Sequence, residues 1–239
     1  MAGLSSRFTK AGYDKPKYML NVDSNTIFYH AINSFKHYFN EHEFLFIFRD
    51  IQDTSNFINN ECQKLGLKNY KAVCLDKPTD GQAETVFMGL KEANVSKSES
   101  ILIFNIDTFR PNFKLPKSLN LTTIDGYLEV FEADGDHWSF ILPETGSSDK
   151  VIKTTEKDRI SSLCSSGLYY FKEAKDYFDT FERVLETDDR TKNEFYIAPM
   201  YNHLIKQGKD IRYNKILLDD VVFCGTPDEY RIVQSLNLN

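Results

Sequence analysis

The chain has 239 residues, 41% of them hydrophobic and 27% charged, with a formal net charge of -6. That is enough to bury one sizeable core, and the acidic balance speaks against a general nucleic-acid binder, which needs a basic face. No run of about 18 apolar residues occurs, the first twenty residues lack the apolar centre of a signal peptide, and Cys62, Cys74, Cys164 and Cys224 are spaced too widely for a structural zinc site, a usage that suits a reducing cytoplasm.

The chain opens on Gly3-Leu4-Ser5-Ser6-Arg7-Phe8, followed after a short gap by Pro16-Lys17. A loop of Gly and Ser can turn its backbone N–H groups toward an anion, because little side chain stands in the way. Arg7 adds a planar fork of donors and Lys17 a mobile point charge, both suited to phosphate oxygens. A surface loop leading into a helix reads the same way, and the stretch is neither a Walker loop nor a dinucleotide fingerprint.

Residues 24–39 place Ile27, Phe28, Ala31, Ile32, Phe35 and Phe39 at helical spacing behind a Ser24 cap. Phe44 to Phe48 is a continuous apolar run, the pattern of a strand covered on both faces. A helix over 53–65 ends at Gly66, a strand follows over 70–75, and a helix over 82–93 leads to a buried strand at 101–104. This alternation implies a parallel sheet. Beyond residue 120 the pattern changes. Two β runs, 126–132 and 137–142, flank Asp134-Gly135, a hairpin signal; strands follow near 150–155 and 167–172, helices at 173–186 and 195–207, and a strand at 211–217. Thr226-Pro227-Asp228-Glu229 opens the last helix with a cap, an N1 proline and a glutamate at the third position. We read one domain over 1–239 in two halves, one to about residue 120 and one from about 121.

Asp107 closes the buried strand at the carboxyl end, where open α/β sheets place ligands. A carboxylate there can hold Mg²⁺ together with substrate phosphates and water; a strand-end turn residue is the plain alternative. Gly81, Gln82 and Ala83 join a loop to a helix, and the small residues leave room for a nucleobase against the backbone; an ordinary helix start fits equally. Asp134-Gly135-Asp136 reads as a hairpin tip rather than a metal motif, and the five histidines show no ligand spacing.

The opening stretch resembles the signature loop of the sugar-phosphate nucleotidyltransferases, the nucleoside-diphosphate-sugar pyrophosphorylases, written G-x-G-[ST]-R followed by P-K, with Ser5 where the second glycine stands. The resemblance extends to Asn105-Ile106-Asp107, to Thr79 through Thr85, to Glu156-Lys157 with Gly167-Leu168-Tyr169-Tyr170-Phe171, and to Asn193-Glu194-Phe195-Tyr196. It implies a Rossmann-like, mainly parallel mixed α/β sheet flanked by helices, the GT-A-like nucleotidyltransferase fold, and a first strand upstream of the residues present here. It implies a nucleotide-binding half to about residue 120 and an acceptor-binding half from about 121, with nucleotide binding by Gly3, Leu4, Ser5, Ser6, Gly81 and Gln82, catalysis by Arg7 and Lys17, Mg²⁺ on Asp107, and acceptor binding by Glu156, Lys157, Gly167 and Glu194. The family's second metal aspartate falls on Phe223; Asp219 or Asp220 could substitute. The expected reaction joins a nucleoside triphosphate (CTP, UTP or dTTP) to a sugar 1-phosphate or similar acceptor, releasing pyrophosphate, in the cytoplasm and for surface-polysaccharide precursors. A homo-oligomer is open, and no nucleic acid or membrane partner is implied. A GT-A glycosyltransferase and a non-catalytic nucleotide-binding module are the alternatives.

Overall fold

The computed structural model describes residues 1–3, 5–147 and 149–236. In chain order the helices are α1 (Ser6–Lys10), α2 (Ile27–Asn33), α3 (Thr54–Leu65), α4 (Gln82–Glu92), α5 (Ala174–Thr187), α6 (Ile197–Lys206) and α7 (Pro227–Ser235). The strands are β1 (Asn21–Val22), β2 (Asn25–Thr26), β3 (Phe44–Phe48), β4 (Tyr70–Cys74), β5 (Ile101–Ile103), β6 (Thr108–Phe109), β7 (Gly126–Glu132), β8 (Ser139–Pro143), β9 (Val151–Glu156), β10 (Leu163–Phe171), β11 (Ile211–Lys215) and β12 (Val222–Phe223). The result is a mixed α/β fold. It divides into two compact units: Met1–Thr79 with Asn105–Lys114 and Asp219–Asn239, and Asp80–Phe104 with Leu115–Leu218.

In the first unit β3 and β4 run parallel, joined by α3, as the strand-helix-strand alternation implies. Phe46 and Phe48 are buried while Phe44, Leu45 and Ile47 are half-buried, so β3 is covered less evenly than its unbroken apolar run suggests. Phe28 and Ile32 of α2 pack with Phe46, Phe48, Ile58 and Cys62 in one apolar cluster. A second cluster joins Phe8 of α1 to Ile27, Phe109, Cys224 and Tyr230, tying both chain ends to β6. Each fully buried large apolar side chain contributes roughly 1.5–3 kcal/mol.

The helix expected over 24–39 is shorter. Thr26, not Ser24, caps it: its hydroxyl accepts from Tyr29 N at 3.0 Å. At the other end Ser34 donates to the His30 carbonyl (3.0 Å) and accepts from Arg110 N (2.9 Å). A hydroxyl that bonds back to the preceding turn loosens a helix, and a short 3₁₀ turn, Lys36–Tyr38, carries the chain onward. At α7 the capping box is present as the sequence implies, Thr226 accepting from Glu229 N while Glu229 reaches back to Thr226 N.

The second unit is built on a six-stranded sheet in the order β11-β7-β10-β8-β9, with β5 also on β10. All nine residues of β10 are buried. β10 is antiparallel to β5, β7 and β8, and β11 is parallel to β7. The hairpin expected between 126–132 and 137–142 is therefore not formed, because β10 pairs with both β7 and β8 and lies between them. A turn signal such as Asp134-Gly135 reverses the chain locally but does not stop a later, fully buried strand from entering between its arms. α5 and α6 bring Tyr177 and Tyr201 into the core against Phe171, and α5 sets Phe181 against Phe87 and Phe195. Among the described residues no helix is long and apolar enough to cross a membrane.

Candidate active site

In the first unit the opening loop is fixed by Ser5, which adopts the left-handed conformation at φ 50°. That region suits glycine and costs other residues roughly 1–2 kcal/mol, which accounts for a glycine in the family pattern at this position. Serine holds the conformation because it is used twice. Its carbonyl accepts from Phe8 N (2.9 Å) and Thr9 N (3.1 Å), starting α1, and its hydroxyl accepts from Lys17 N at 3.3 Å. The two halves of the signature, the Gly-Ser loop and Pro16-Lys17, are thus joined by a hydrogen bond. Gly3 and Ser6 flank this bend, and Leu4 lies outside the described residues. Arg7 is exposed on α1, two residues from Ser5.

Lys17 sits between buried Pro16 and buried Tyr18, whose hydroxyl shares a hydrogen bond with Thr54 Oγ1 at 2.9 Å. Its own ammonium donates to Asp107 Oδ2, forming an ion pair whose side chains remain 27% and 17% exposed. Asp107 immediately precedes β6, and its carbonyl accepts from Cys224 N at 2.8 Å, extending the β6-β12 ladder. Burial alone would push its carboxyl up, but the charge and hydrogen bond of Lys17 outweigh that and hold it below the usual carboxylate range.

Gly225 completes this corner. A Cβ there would lie 2.9 Å from Asp107 Oδ2, so the carboxylate approaches a bare backbone. Glu229 accepts from both Gly225 N and Thr226 N at 2.9 Å, fixing the turn. Phe223 pairs with Thr108, the neighbour of Asp107, so the residue that the resemblance assigns to a second metal carboxylate is an aromatic one beside the first. Asp219 is exposed, and the Asp220 carbonyl accepts from Arg110 at 3.2 Å. Among the described residues no group of three or more His, Cys, Asp or Glu side chains converges as a metal cage. A single partly exposed carboxylate fits a Mg²⁺ ion that takes most of its ligands from substrate phosphates and water, the usual magnesium arrangement.

In the second unit two groups of predicted residues come together. Phe195 N donates to the Asp80 carbonyl (2.7 Å) and Ala83 N to the Phe195 carbonyl (3.0 Å), so the Gly81-Gln82 loop is laced to the segment holding Glu194. The second group surrounds Glu156 and Lys157 at the end of β9. Lys157, left-handed at φ 54°, donates to Tyr196 Oη and lies 4.4 Å from the centre of that ring. Glu156 is buried, accepts from Ser139 and stands 3.8 Å from the Lys157 ammonium. Burial raises its pKa from the ordinary 4.5, opposed by the Ser139 bond and the Lys157 charge and reinforced by the Glu194 charge. Tyr169, hydrogen-bonded to Ser165 and Ser139, is pushed up to about 12 by burial. Gly167 sits at φ 87° in the register shift of β10 against β7, and its nitrogen donates to Ser165 Oγ at 3.1 Å, so a backbone reason for this glycine exists inside the sheet. Ser139 escapes a sequence reading because it stands in an ordinary β run, and only the strand register sets it opposite Glu156; Tyr169 and Tyr196 lie inside the family-like segments but carry no assigned role there. Glu229 was legible as part of a helix start, not as the group that fixes the turn beside Asp107.

A mixed sheet flanked by helices, with a lysine-carboxylate pair beside a Gly-Ser loop, is the architecture of a nucleotidyltransferase. The structure of the nucleoside-diphosphate-sugar pyrophosphorylase from Vibrio cholerae RC9 is 46% identical over 99% of this chain and 98% of that one, with a TM-score of 0.93. UDP-glucose pyrophosphorylase complexed with UDP-glucose (17% identity, 98% and 94% covered, TM-score 0.75) and the inositol-1-phosphate CTP transferase from T. maritima (14%, 98% and 91%, 0.71) share the fold. No protein-family model and no curated protein matches the sequence. The chain belongs to the nucleoside-diphosphate-sugar pyrophosphorylases, a family of sugar-phosphate nucleotidyltransferases.

Proposed function

We propose that this enzyme joins a nucleoside triphosphate, CTP, UTP or dTTP, to a sugar 1-phosphate or a similarly phosphorylated acceptor. An acceptor phosphate oxygen attacks the α-phosphorus in line; the bond from that phosphorus to the bridging oxygen breaks and pyrophosphate leaves. The observation that carries this reading is the Lys17-Asp107 pair on the Ser5 bend. Transfer at phosphorus needs little covalent help and proceeds mainly by positioning and charge neutralisation.

In this reading Gly3, Leu4, Ser5 and Ser6 offer backbone donors to the triphosphate, and Arg7 stabilises the charge that builds on it. Lys17, which the fold holds beside Asp107, neutralises phosphate oxygens. Mg²⁺ held by Asp107 would supply Lewis-acid neutralisation of the phosphates. Gly81 and Gln82 read the base, while Lys157 neutralises the acceptor phosphate and Glu156, Gly167 and Glu194 hold the rest of the acceptor. The reaction draws on triphosphates and so belongs in the cytoplasm, and its product serves as an activated precursor for surface polysaccharide such as capsule or lipopolysaccharide.

A matrix of the three triphosphates against sugar 1-phosphates with Mg²⁺, scored by pyrophosphate release, tests the proposal. One productive pair, silenced by Asp107→Asn, supports it; no productive pair at enzyme concentrations that would reveal slow turnover overturns it.

A further inference from the structure

Phe195 is the residue on which two loops of the second unit meet. It is 1% exposed, and its backbone is bonded on one side to Asp80 and on the other to Ala83. The approach is close enough that a Cβ on Gly81 would lie 2.5 Å from the Phe195 carbonyl oxygen and 2.6 Å from its nitrogen. Gly81 also has φ 129°, open to glycine alone at low cost. Behind the loop, the buried Tyr177 hydroxyl donates to the Ala83 carbonyl at 2.8 Å.

Arg190 closes the arrangement from outside. Its Nη1 donates to Asp80 Oδ2 at 2.8 Å, its Nε to Asp188 Oδ1 at 2.6 Å, and its guanidinium lies 4.2 Å from the centre of the Phe195 ring. One planar fork therefore touches the loop before Gly81, the turn after α5 and the aromatic ring between them, which a lysine cannot do. The intervening residues are strained: Asp188, Lys192 and Asn193 are all left-handed, at φ 49°, 49° and 67°. Such conformations persist where surrounding contacts over-determine them. The next residue, Tyr196, holds Lys157 by its hydroxyl.

We propose that Arg190 is a positioning residue for both substrates: clasping Asp80 and Phe195, it makes the Gly81-Gln82 loop and the Glu194-Tyr196 segment move as one piece. This rests on the assignment of those two segments to nucleotide and acceptor. Occupation of one then sets the backbone of the other, and the two substrates favour each other's binding. The coupling runs from Gln82 through Ala83 N–H to the Phe195 carbonyl, and from Tyr196 to the Lys157 ammonium.

The test uses Arg190→Met, which keeps the packing over Phe195 but loses the fork, together with Asp80→Asn, Arg190→Lys and the exchanged pair Asp80→Arg with Arg190→Asp. Steady-state constants are measured with the triphosphate and sugar 1-phosphate that the wild-type enzyme turns over fastest, alongside amide hydrogen exchange at Ala83 and Phe195. The clasp predicts that KM for both substrates rises together, by about 2- to 5-fold, the scale of an exposed charge pair, with faster exchange at both amides and unchanged melting temperature. The exchanged pair restores part of both constants and Arg190→Lys less. A rise in one KM only, or in neither, overturns the clasp while leaving the transferase reading intact. If Arg190→Met does not fold, Asp80→Asn decides by the same criteria. Failure of the wild-type enzyme to release pyrophosphate with any pair overturns the transferase reading and this inference with it.

Discussion

Lys17 and Asp107, 90 residues apart in sequence, form an ion pair, and the backbone of the same lysine is bonded to Ser5 in the signature loop. A carboxylate already neutralised by a lysine can exchange that partner for a metal ion, leaving the ammonium free for phosphate. Lys17→Ala and Asp107→Asn are each expected to lower kcat/KM by roughly 10²–10³, the usual cost of removing one preorganised electrostatic contact. Because the two act as a unit, the double variant should lose little more than the worse single one. Steady-state kinetics on the four proteins check this.

Gly225 faces the same carboxylate. Gly225→Ala would drive a Cβ to within 2.9 Å of Asp107 Oδ2, the oxygen that Lys17 holds. The carboxylate must turn aside, so turnover should fall about 10-fold or more, a small misplacement being enough to do this. Melting temperature should hardly change, since only the end of a side chain has to move. Kinetics paired with thermal melting separate the two effects.

Gly81→Ala meets backbone rather than a movable side chain, at 2.5 Å, and from φ 129°. Overpacking of this kind costs about 1–3 kcal/mol, to which backbone strain adds. Urea denaturation should show a lower midpoint for this variant, while alanine at Gly3, where no atom lies within 4 Å of the added carbon, leaves the midpoint nearly unchanged.

Glu156 sets a pH dependence of stability. Its folded pKa is raised above 4.5 by burial, so the folded protein keeps this proton where the unfolded chain has lost it. Stability then falls as pH rises from 4.5 through the folded value. Relative to Glu156→Gln, which never ionises, the wild-type protein should lose stability over that window and hold a constant difference above and below it. Ser139→Ala removes a bond that favours the charged form and shifts the window upward. Denaturant midpoints at successive pH values measure both.

Much of this was legible in the chain. Phe44 to Phe48, the α3 and α4 periodicities and the Thr226 capping box are local signals, and each element stands within a residue or two of its expected bounds. Arg7, Lys17 and Asp107 were named from chemistry that phosphate requires, and the fold brings the last two into contact. The misses are non-local. Asp134-Gly135 announces a hairpin, and nothing near it announces that β10 will take the position between its arms. Ser24 and Thr26 are equally good caps by type; the short β1-β2 turn, with Asp23 at φ 52°, decides for Thr26. Arg190 carries no local signal, and Tyr196 no role beyond its place in a family-like segment; the folded loop sets them against Phe195 and Lys157.

The central claim is that the Lys17-Asp107 corner drives nucleotidyl transfer. Its most direct test is pyrophosphate release with Mg²⁺, a triphosphate and a sugar 1-phosphate, by the wild-type protein and by Asp107→Asn side by side. The account predicts release by the wild type and a loss of roughly 10²-fold or more in the variant. Equal release by both, or none by the wild type with any substrate pair, would contradict it.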